Sequence, residues 1–196
     1  MKVLGCTGGI GSGKSYVSNL FNKMGIPVYD SDSRAKGLYD TDSILMEQMI
    51  ELLGGDIIEN GVLQRNIVAS RIFGNRTLLL EVEKLVHPAV LRDFCIWKES
   101  FGQDVPFVIM ESAILLEKPL VRGCADKILN VTAPAELRIE RVMARDKVCR
   151  ERVLERMAAQ WSDEDRSAMA DFIIFADGKR ALLPQIEAVY ATMASL

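Results

Sequence analysis

Gly8-Gly9-Ile10-Gly11-Ser12-Gly13-Lys14-Ser15 is the stretch whose residue types and spacing point most directly to chemistry. It fits G-x-x-x-x-G-K-[ST], a phosphate-binding loop. Phosphate oxygens need several donors converging on a small volume. Glycines that take φ > 0 without steric cost turn successive backbone N–H groups inward. A following helix adds its unpaired amides and the positive end of its dipole. Lys14 would bring a mobile charge to the β- and γ-phosphates, and Ser15 a hydroxyl to Mg2+. The plainer alternative is a Gly-rich turn before an ordinary helix. Context favours the loop. Val3 to Thr7 is short and strand-like, while Val17, Leu20, Phe21 and Met24 fall at helical spacing with Gly25 as a C-terminal cap. The expected ligand is a nucleoside triphosphate.

Two further acidic sites suit a phosphoryl-transfer centre. Ile26-Pro27-Val28-Tyr29 reads as a second strand, with Asp30-Ser31-Asp32 just past it. Ligands of open α/β sheets sit beyond the carboxyl ends of strands, where a carboxylate can orient an acceptor hydroxyl and take its proton. The alternative is that one aspartate caps the next helix; both roles can coexist. Val105 to Met110 reads as a buried strand, and Glu111 after it suits the Walker B role of touching magnesium directly or through water.

The elements that must position these groups follow in order. Residues 33–105 read as a mostly helical insertion, with a helix over Ile44 to Leu53 ended by Gly54-Gly55, and a turn at Asn60-Gly61. Val68 to Val86 continues at helical spacings, and Pro88 is expected to open another helix. Arg65, Arg71, Arg76 and Lys84 in this insertion fit a solvated surface better than an anion site. His87, the chain's only histidine, has no Ser or Cys partner that the sequence identifies and is not read as a base. Lys127 to Val131 is a further strand, after which Thr132 is expected to cap a helix. Arg138, Arg141 and Arg145 fall on one face of that helix. Between residues 135 and 156 the six arginines and one lysine meet five acids. That balance suits a solvated helix pair laced with ion pairs. The sharper reading is a lid bringing rigid, forked arginines to the transferring phosphoryl group. Asp171 to Phe175 is a fifth strand, with Ala176-Asp177-Gly178 turning out of it where an adenine could rest. Leu182 to Met193 is a final amphipathic helix.

Composition narrows the classes. A chain of 196 residues with 49% apolar residues suits one core domain with a small insertion, and a net charge of −3 excludes a general polyanion binder. The four cysteines form no C-x-x-C, and with one histidine there is no evident zinc site or disulfide framework. These features lead us to expect a reducing cytoplasm, no signal peptide and no membrane span.

Taken together, these residues resemble the dephospho-CoA kinases over nearly the whole chain. Thr7 to Ser15 looks like that family's form of the phosphate loop, and Gly25 to Asp32 is similar to its G-x-x-V-x-D-A-D. Further matches are Leu63-Gln64-Arg65, His87-Pro88, Arg141 to Asp146, Arg156 with Gln160, Ala170-Asp171 and Asp177-Gly178. The resemblance implies an α/β P-loop NTPase fold: a five-stranded parallel sheet flanked by helices, with a helical substrate-binding insertion and a helical lid. It implies a nucleotide-binding core of residues 1–32 and 106–196, a lid at about 140–160 and a CoA-binding insertion of 33–105.

By the same resemblance, Gly11, Ser12, Gly13, Lys14, Ser15 and Tyr16 would bind ATP, and Arg141 would clamp it from the lid. Asp32 would orient and deprotonate the ribose 3′-hydroxyl of dephospho-CoA. Arg65 and His87 would be contacts in the insertion, and Ser15 and Glu111 would serve Mg2+. Lys14, Arg141 and Asp32 would carry the catalysis. The expected partners are ATP and dephospho-CoA, with no nucleic acid or membrane, in a monomer or weak homo-oligomer. Ser31, Lys36 and Ala176 depart from the usual alanine, arginine and asparagine, and Glu111 to Glu117 from an Asp-initiated P-L-L-F-E run. Lys36 loses a bidentate fork, and Ala176 bears on adenine recognition. The rivals are another small-molecule or nucleoside monophosphate kinase, a nucleotide switch and an inactive scaffold. The switch would need N-K-x-D, and Asn22-Lys23-Met24-Gly25 lacks the aspartate.

Overall fold

The computed structural model describes every residue except Asn60 and Gln103. The strands among the described residues are β1 (Lys2–Thr7), β2 (Val28–Asp30), β3 (Ile58–Glu59), β4 (Val62–Leu63), β5 (Phe107–Glu111), β6 (Lys127–Thr132) and β7 (Phe172–Phe175). The α-helices are α1 (Lys14–Lys23), α2 (Ser31–Thr41), α3 (Ser43–Leu53), α4 (Arg65–Ile72), α5 (Arg76–Glu99), α6 (Pro119–Arg122), α7 (Ala135–Asp146), α8 (Arg150–Ala158), α9 (Asp163–Ala168) and α10 (Leu182–Ala194). The chain divides into two compact units, Met1–Asp30 with Phe101–Leu196, and Ser31–Ser100.

The first unit is built on a five-stranded sheet in the order β2-β5-β1-β6-β7, with every pairing parallel. A parallel sheet is covered on both faces, so its inner strands read as continuous apolar runs rather than alternating ones. That is why β1 and β5 are buried nearly throughout. On one face Leu4 and Cys6 meet Val17 and Phe21 of α1 and Ile186 and Val189 of α10. The opposite face carries α9, where Asn130 of β6 donates to Ser167 Oγ at 3.0 Å. This is the α/β architecture expected for the core. Because β1 is central, its carboxyl end opens where the chain departs to either side of the sheet, the usual place for a ligand crevice.

The second unit packs α2, α3 and α5 together around Leu38, Leu45, Met49, Val82 and Phe94. The helix expected over 44–53 is α3, whose Asp42 side chain accepts from Leu45 N at 2.9 Å and whose C-cap is Gly54 at φ 94. The unit also holds an antiparallel β3–β4 hairpin, which helical periodicity did not reveal because its strands are two residues each. The expected turn there falls partly on Asn60, outside the described residues.

Two helix boundaries differ from expectation. Pro88 does not open a helix; it lies inside the 24-residue α5. An interior proline loses one backbone hydrogen bond and costs about 3 kcal/mol. Burial of Val82 before it and of Ala89, Val90 and Phe94 after it offsets that cost. Thr132 does not cap α7. It is the last residue of β6, and Pro134 takes the N-cap position with ψ 140 and no side-chain cap. A residue preceding proline is biased toward extended backbone, which carries the chain past Thr132 before the helix can start.

Packing around β1 leaves little space. A Cβ added at Gly5 would lie 2.8 Å from Ala125 Cβ and 2.9 Å from Leu115 Cδ2. Gly5→Ala is therefore expected to cost about 1–3 kcal/mol through overpacking, read as a fall in Tm of roughly 3–10 °C; an unchanged melting curve would refute the tight packing. Cys6 is fully buried beside Ser18, and burial pushes its thiol up to about 12. The thiolate is the reactive form, so Cys6 should resist thiol reagents at pH 8 until the protein unfolds, whereas the exposed Cys95 and Cys149 should react at once. The raised pKa also sets the sign of its stability effect. The contribution is intact below about pH 9 and is lost as pH rises through 9 toward 12.

Candidate active site

The loop between β1 and α1 has the backbone that phosphate binding requires. Gly11 and Gly13 have φ 79 and 96, which favours glycine at both. Gly13 is the N-cap of α1 and supplies no side-chain cap, and no acidic residue lies in the helix's first turn. The first amides of α1, and the positive end of its dipole, are thus left for an anion.

Lys14 and Ser15 begin α1, and both turn to Glu111, the last residue of β5. Lys14 Nζ donates to Glu111 Oε1 at 2.5 Å, and Ser15 Oγ donates to the same oxygen at 2.6 Å. Glu111 is 3% exposed. Strand register explains the meeting: Cys6 of β1 pairs with Glu111, so the carboxylate emerges beside the start of the loop. Asp30 pairs with Glu111 from the other side. Two hard oxygen donors close together suit a hard cation. No cluster of three or more His, Cys, Asp or Glu side chains that could hold a metal occurs among the described residues. Ser15 and Glu111 would therefore leave most coordination positions to phosphate and water, as Mg2+ prefers.

Arg141, on α7, reaches the same loop. Its Nη1 lies 3.4 Å from the carbonyl oxygens of Gly11 and Ser12, and its Nη2 donates to Ala176 O at 2.8 Å. It borders a cavity of about 410 Å³ with Gly13, Tyr16, Ala176, Arg180 and Leu182. Arg180 lies 4.0 Å from the centre of the Phe175 ring, and Asp177 accepts from the backbone N–H groups of Lys179 and Arg180. The cavity is large enough to admit a nucleobase, and guanidinium groups can stack on one. Arg180 and Phe175 carried no motif and emerge only from the fold.

The three arginines predicted to share a face divide into different roles. Arg138 is 4% exposed; its Nε donates to Ile10 O at 2.9 Å, and its Nη1 pairs with Asp163. Arg141 is half-buried at the loop. Arg145 is exposed and paired with Asp146 at 2.7 Å. The remaining basic residues of this region include Arg150, Arg152 and Arg156, which form surface pairs with Glu136, Glu155 and Asp146. The ion-paired surface expected of this region is present at Arg145, Arg150, Arg152 and Arg156, while Arg141 instead reaches the loop carbonyls. Arg166, which is buried, and Asp163, which is half-buried, are unremarked in the sequence and belong to the same ion network.

The other predicted residues lie in the second unit. Asp32 is exposed in the first turn of α2, and Asp30 directly precedes that helix. Arg65 begins α4, with Nη2 donating to Lys36 O at 3.0 Å and lying 3.9 Å from Asp40. His87 is half-buried in α5.

With this geometry established, relatives can be compared. The dephospho-CoA kinase family model matches residues 2–181. A dephospho-CoA kinase of Porphyromonas gingivalis is 40% identical over 98% of this chain and 95% of its own. One from Bacteroides fragilis is 39% identical over 93% and 88%. A solved Thermus thermophilus protein, TT1252, is 32% identical with a TM-score of 0.80, covering 100% of this chain and 97% of its own. The Campylobacter jejuni dephospho-CoA kinase, at 21% identity and TM-score 0.72 over 100% and 98%, shares the fold. The match to the family model across nearly the whole chain, and identities near 40% to its members, establish that this chain belongs to the dephospho-CoA kinase family.

Proposed function

We propose that this chain carries out its family's reaction, the ATP-dependent phosphorylation of the ribose 3′-hydroxyl of dephospho-CoA to give CoA, the last step of CoA biosynthesis. The convergence of Lys14 and Ser15 on buried Glu111 at the carboxyl end of the central strands carries the reading, because it is the constellation that phosphoryl transfer needs. The backbone amides of Gly11 to Ser15 would receive the phosphates. Lys14 would exchange its bond to Glu111 for the β- and γ-phosphate oxygens, and Arg141 would hold the nucleotide from α7. Ser15 and Glu111 would hold Mg2+, which when bound offsets charge between the β- and γ-phosphates.

Asp32 would accept the proton of the attacking hydroxyl and align it for in-line displacement. It lies two positions beyond Asp30 at the end of β2, with only Ser31 between them, a reach of about 7 Å at most. Residues 33–105 would bind the CoA moiety, with Arg65 and His87 as contacts, and the lid at about 140–160 would exclude water as a competing acceptor. No helix among the described residues is long and apolar enough to cross a membrane. The cytoplasm, where ATP is abundant and thiols such as the four free cysteines persist, would be the working compartment.

The deciding assay supplies ATP and Mg2+ with dephospho-CoA, or with AMP, CMP or shikimate in its place, and identifies the product by mass. CoA formed from dephospho-CoA alone is the expected result; transfer to another acceptor overturns the substrate assignment. Asp32→Asn should lower kcat by about 10²- to 10⁴-fold while leaving ATP binding intact. A variant as active as the wild type would remove Asp32 from the mechanism. Glu111→Gln should raise the Mg2+ concentration needed for half-maximal rate roughly tenfold, and an unshifted titration would exclude Glu111 from the metal site.

A further inference from the structure

The phosphate loop has more glycine than its motif requires. Gly8 and Gly13 are motif positions; Gly9 and Gly11 are not. Both extra glycines face Arg138. A Cβ at Gly9 would collide with the Arg138 guanidinium, and a Cβ at Gly11 with the Arg138 carbonyl oxygen. Between them, Ile10 is fixed at both ends of its backbone. Its N–H donates to Gln160 Oε1 at 2.9 Å, and its carbonyl accepts from Arg138 Nε at 2.9 Å. Its side chain packs against the small core of Ile139, Val142 and Val153. The tip of the loop is therefore attached to α7 and to the end of the α8 segment by two hydrogen bonds and an apolar contact.

Arg138 is itself held. It pairs with Asp163, Asp163 also lies 3.5 Å from Arg166 Nη1, and Arg166 Nη2 lies 3.6 Å from Glu117. Two buried arginines and two half-buried acids thus form a formally neutral network. A buried charge needs such pairing to be tolerated, and its bonds to Asp163 and Ile10 O turn the Arg138 guanidinium toward the loop backbone. In this position its effect on phosphate acts through the loop backbone that it touches at Gly9 and Ile10.

We propose that Arg138, assisted by Gln160, is a positioning residue that fixes the phosphate loop in its binding shape before the nucleotide arrives. This rests on the reading of the loop as an ATP site. A glycine-rich loop left free would lose conformational entropy on each binding event. Pinning Ile10 at both its N–H and its carbonyl removes that cost from the binding step. The consequence falls on ATP affinity, leaving the chemical step and the acceptor site unaffected.

The test uses the full chain and measures the ATP Kd by calorimetry without acceptor, followed by kcat and both KM values. Arg138→Met keeps the volume but removes the donor and the charge, so it should weaken ATP binding about tenfold, the scale of one lost charge-assisted hydrogen bond, and raise the KM for ATP equally. The KM for dephospho-CoA should stay unchanged. Arg138→Gln, which retains an amide donor, should recover part of the loss. Gln160→Leu acts from outside the ion network and should shift the ATP Kd in the same direction; it decides the matter if Arg138→Met fails to fold. Lower Tm with an unchanged ATP Kd in these variants would mean that the network only stabilises the fold, overturning the proposal. A drop in kcat with unchanged Kd would overturn it too. If the wild type binds ATP but forms no CoA, the acceptor assignment fails while the Kd comparison still decides Arg138; absence of ATP binding by the wild type overturns both.

Discussion

A carboxylate buried at the end of β5 can remain charged only if its surroundings meet it with donors, since the effective penalty for removing an ion from water is several kcal/mol. Glu111 satisfies this condition through Lys14 and Ser15 on one of its oxygens. Much of the core depends on that meeting. It needs β1 beside β5 in the observed register, and it needs α1 to begin immediately over the strand ends. The same pairing keeps Lys14 oriented, and in the proposed reaction a polyphosphate would draw the ammonium away by offering a higher negative charge than one carboxylate does. Under the proposed function, the structural ion pair and the binding site would be two uses of the same atoms.

The parts legible from sequence were those whose physics is local. The phosphate loop needs φ > 0 at defined positions and a following helix, and both are written in consecutive residues. The strands of the buried sheet were visible as short apolar runs, because a covered parallel sheet requires apolar residues on both faces. Glu111 was found from its place after such a run, although its shared contact with Lys14 and Ser15 depended on strand register. The β3–β4 hairpin was hidden because two-residue strands have no periodicity. The continuation of α5 through Pro88 was hidden because packing around Val82, Val90 and Phe94 overrides a local preference.

The arginines of α7 mark the limit of such reading. Helical spacing put Arg138, Arg141 and Arg145 on one face, and identical side chains at that spacing gave no basis for ranking them. Their fates were decided by distant residues. Asp163, which follows the α8 segment, turns Arg138 into a buried brace. The carbonyl of Ala176, which follows β7, receives Arg141. Asp146 keeps Arg145 on the surface. Family resemblance picked out Arg141 and Gln160 but not Arg138, whose importance rests on the Gly9 and Ile10 contacts.

That sorting also explains how a chain of net charge −3 presents a site for polyanions. Net charge affects solubility and long-range attraction, whereas a phosphate group responds to charge within roughly a Debye length, about 8 Å at physiological salt. The buried arginines near the loop are compensated, Arg138 by Asp163 and Arg166 by Asp163 and Glu117. They contribute shape at little cost in field. The cations turned toward the loop and its adjoining cavity are Lys14, Arg141 and Arg180, and Arg141 is held mainly by backbone carbonyls rather than by a neutralising carboxylate. The Arg141 guanidinium thereby stands beside the loop where the backbone amides already converge. An acidic protein needs no general attraction for anions when a few cations stand at the mouth of one loop, Lys14 beside Glu111, Arg180 beside Asp177 and Arg141 against backbone carbonyls.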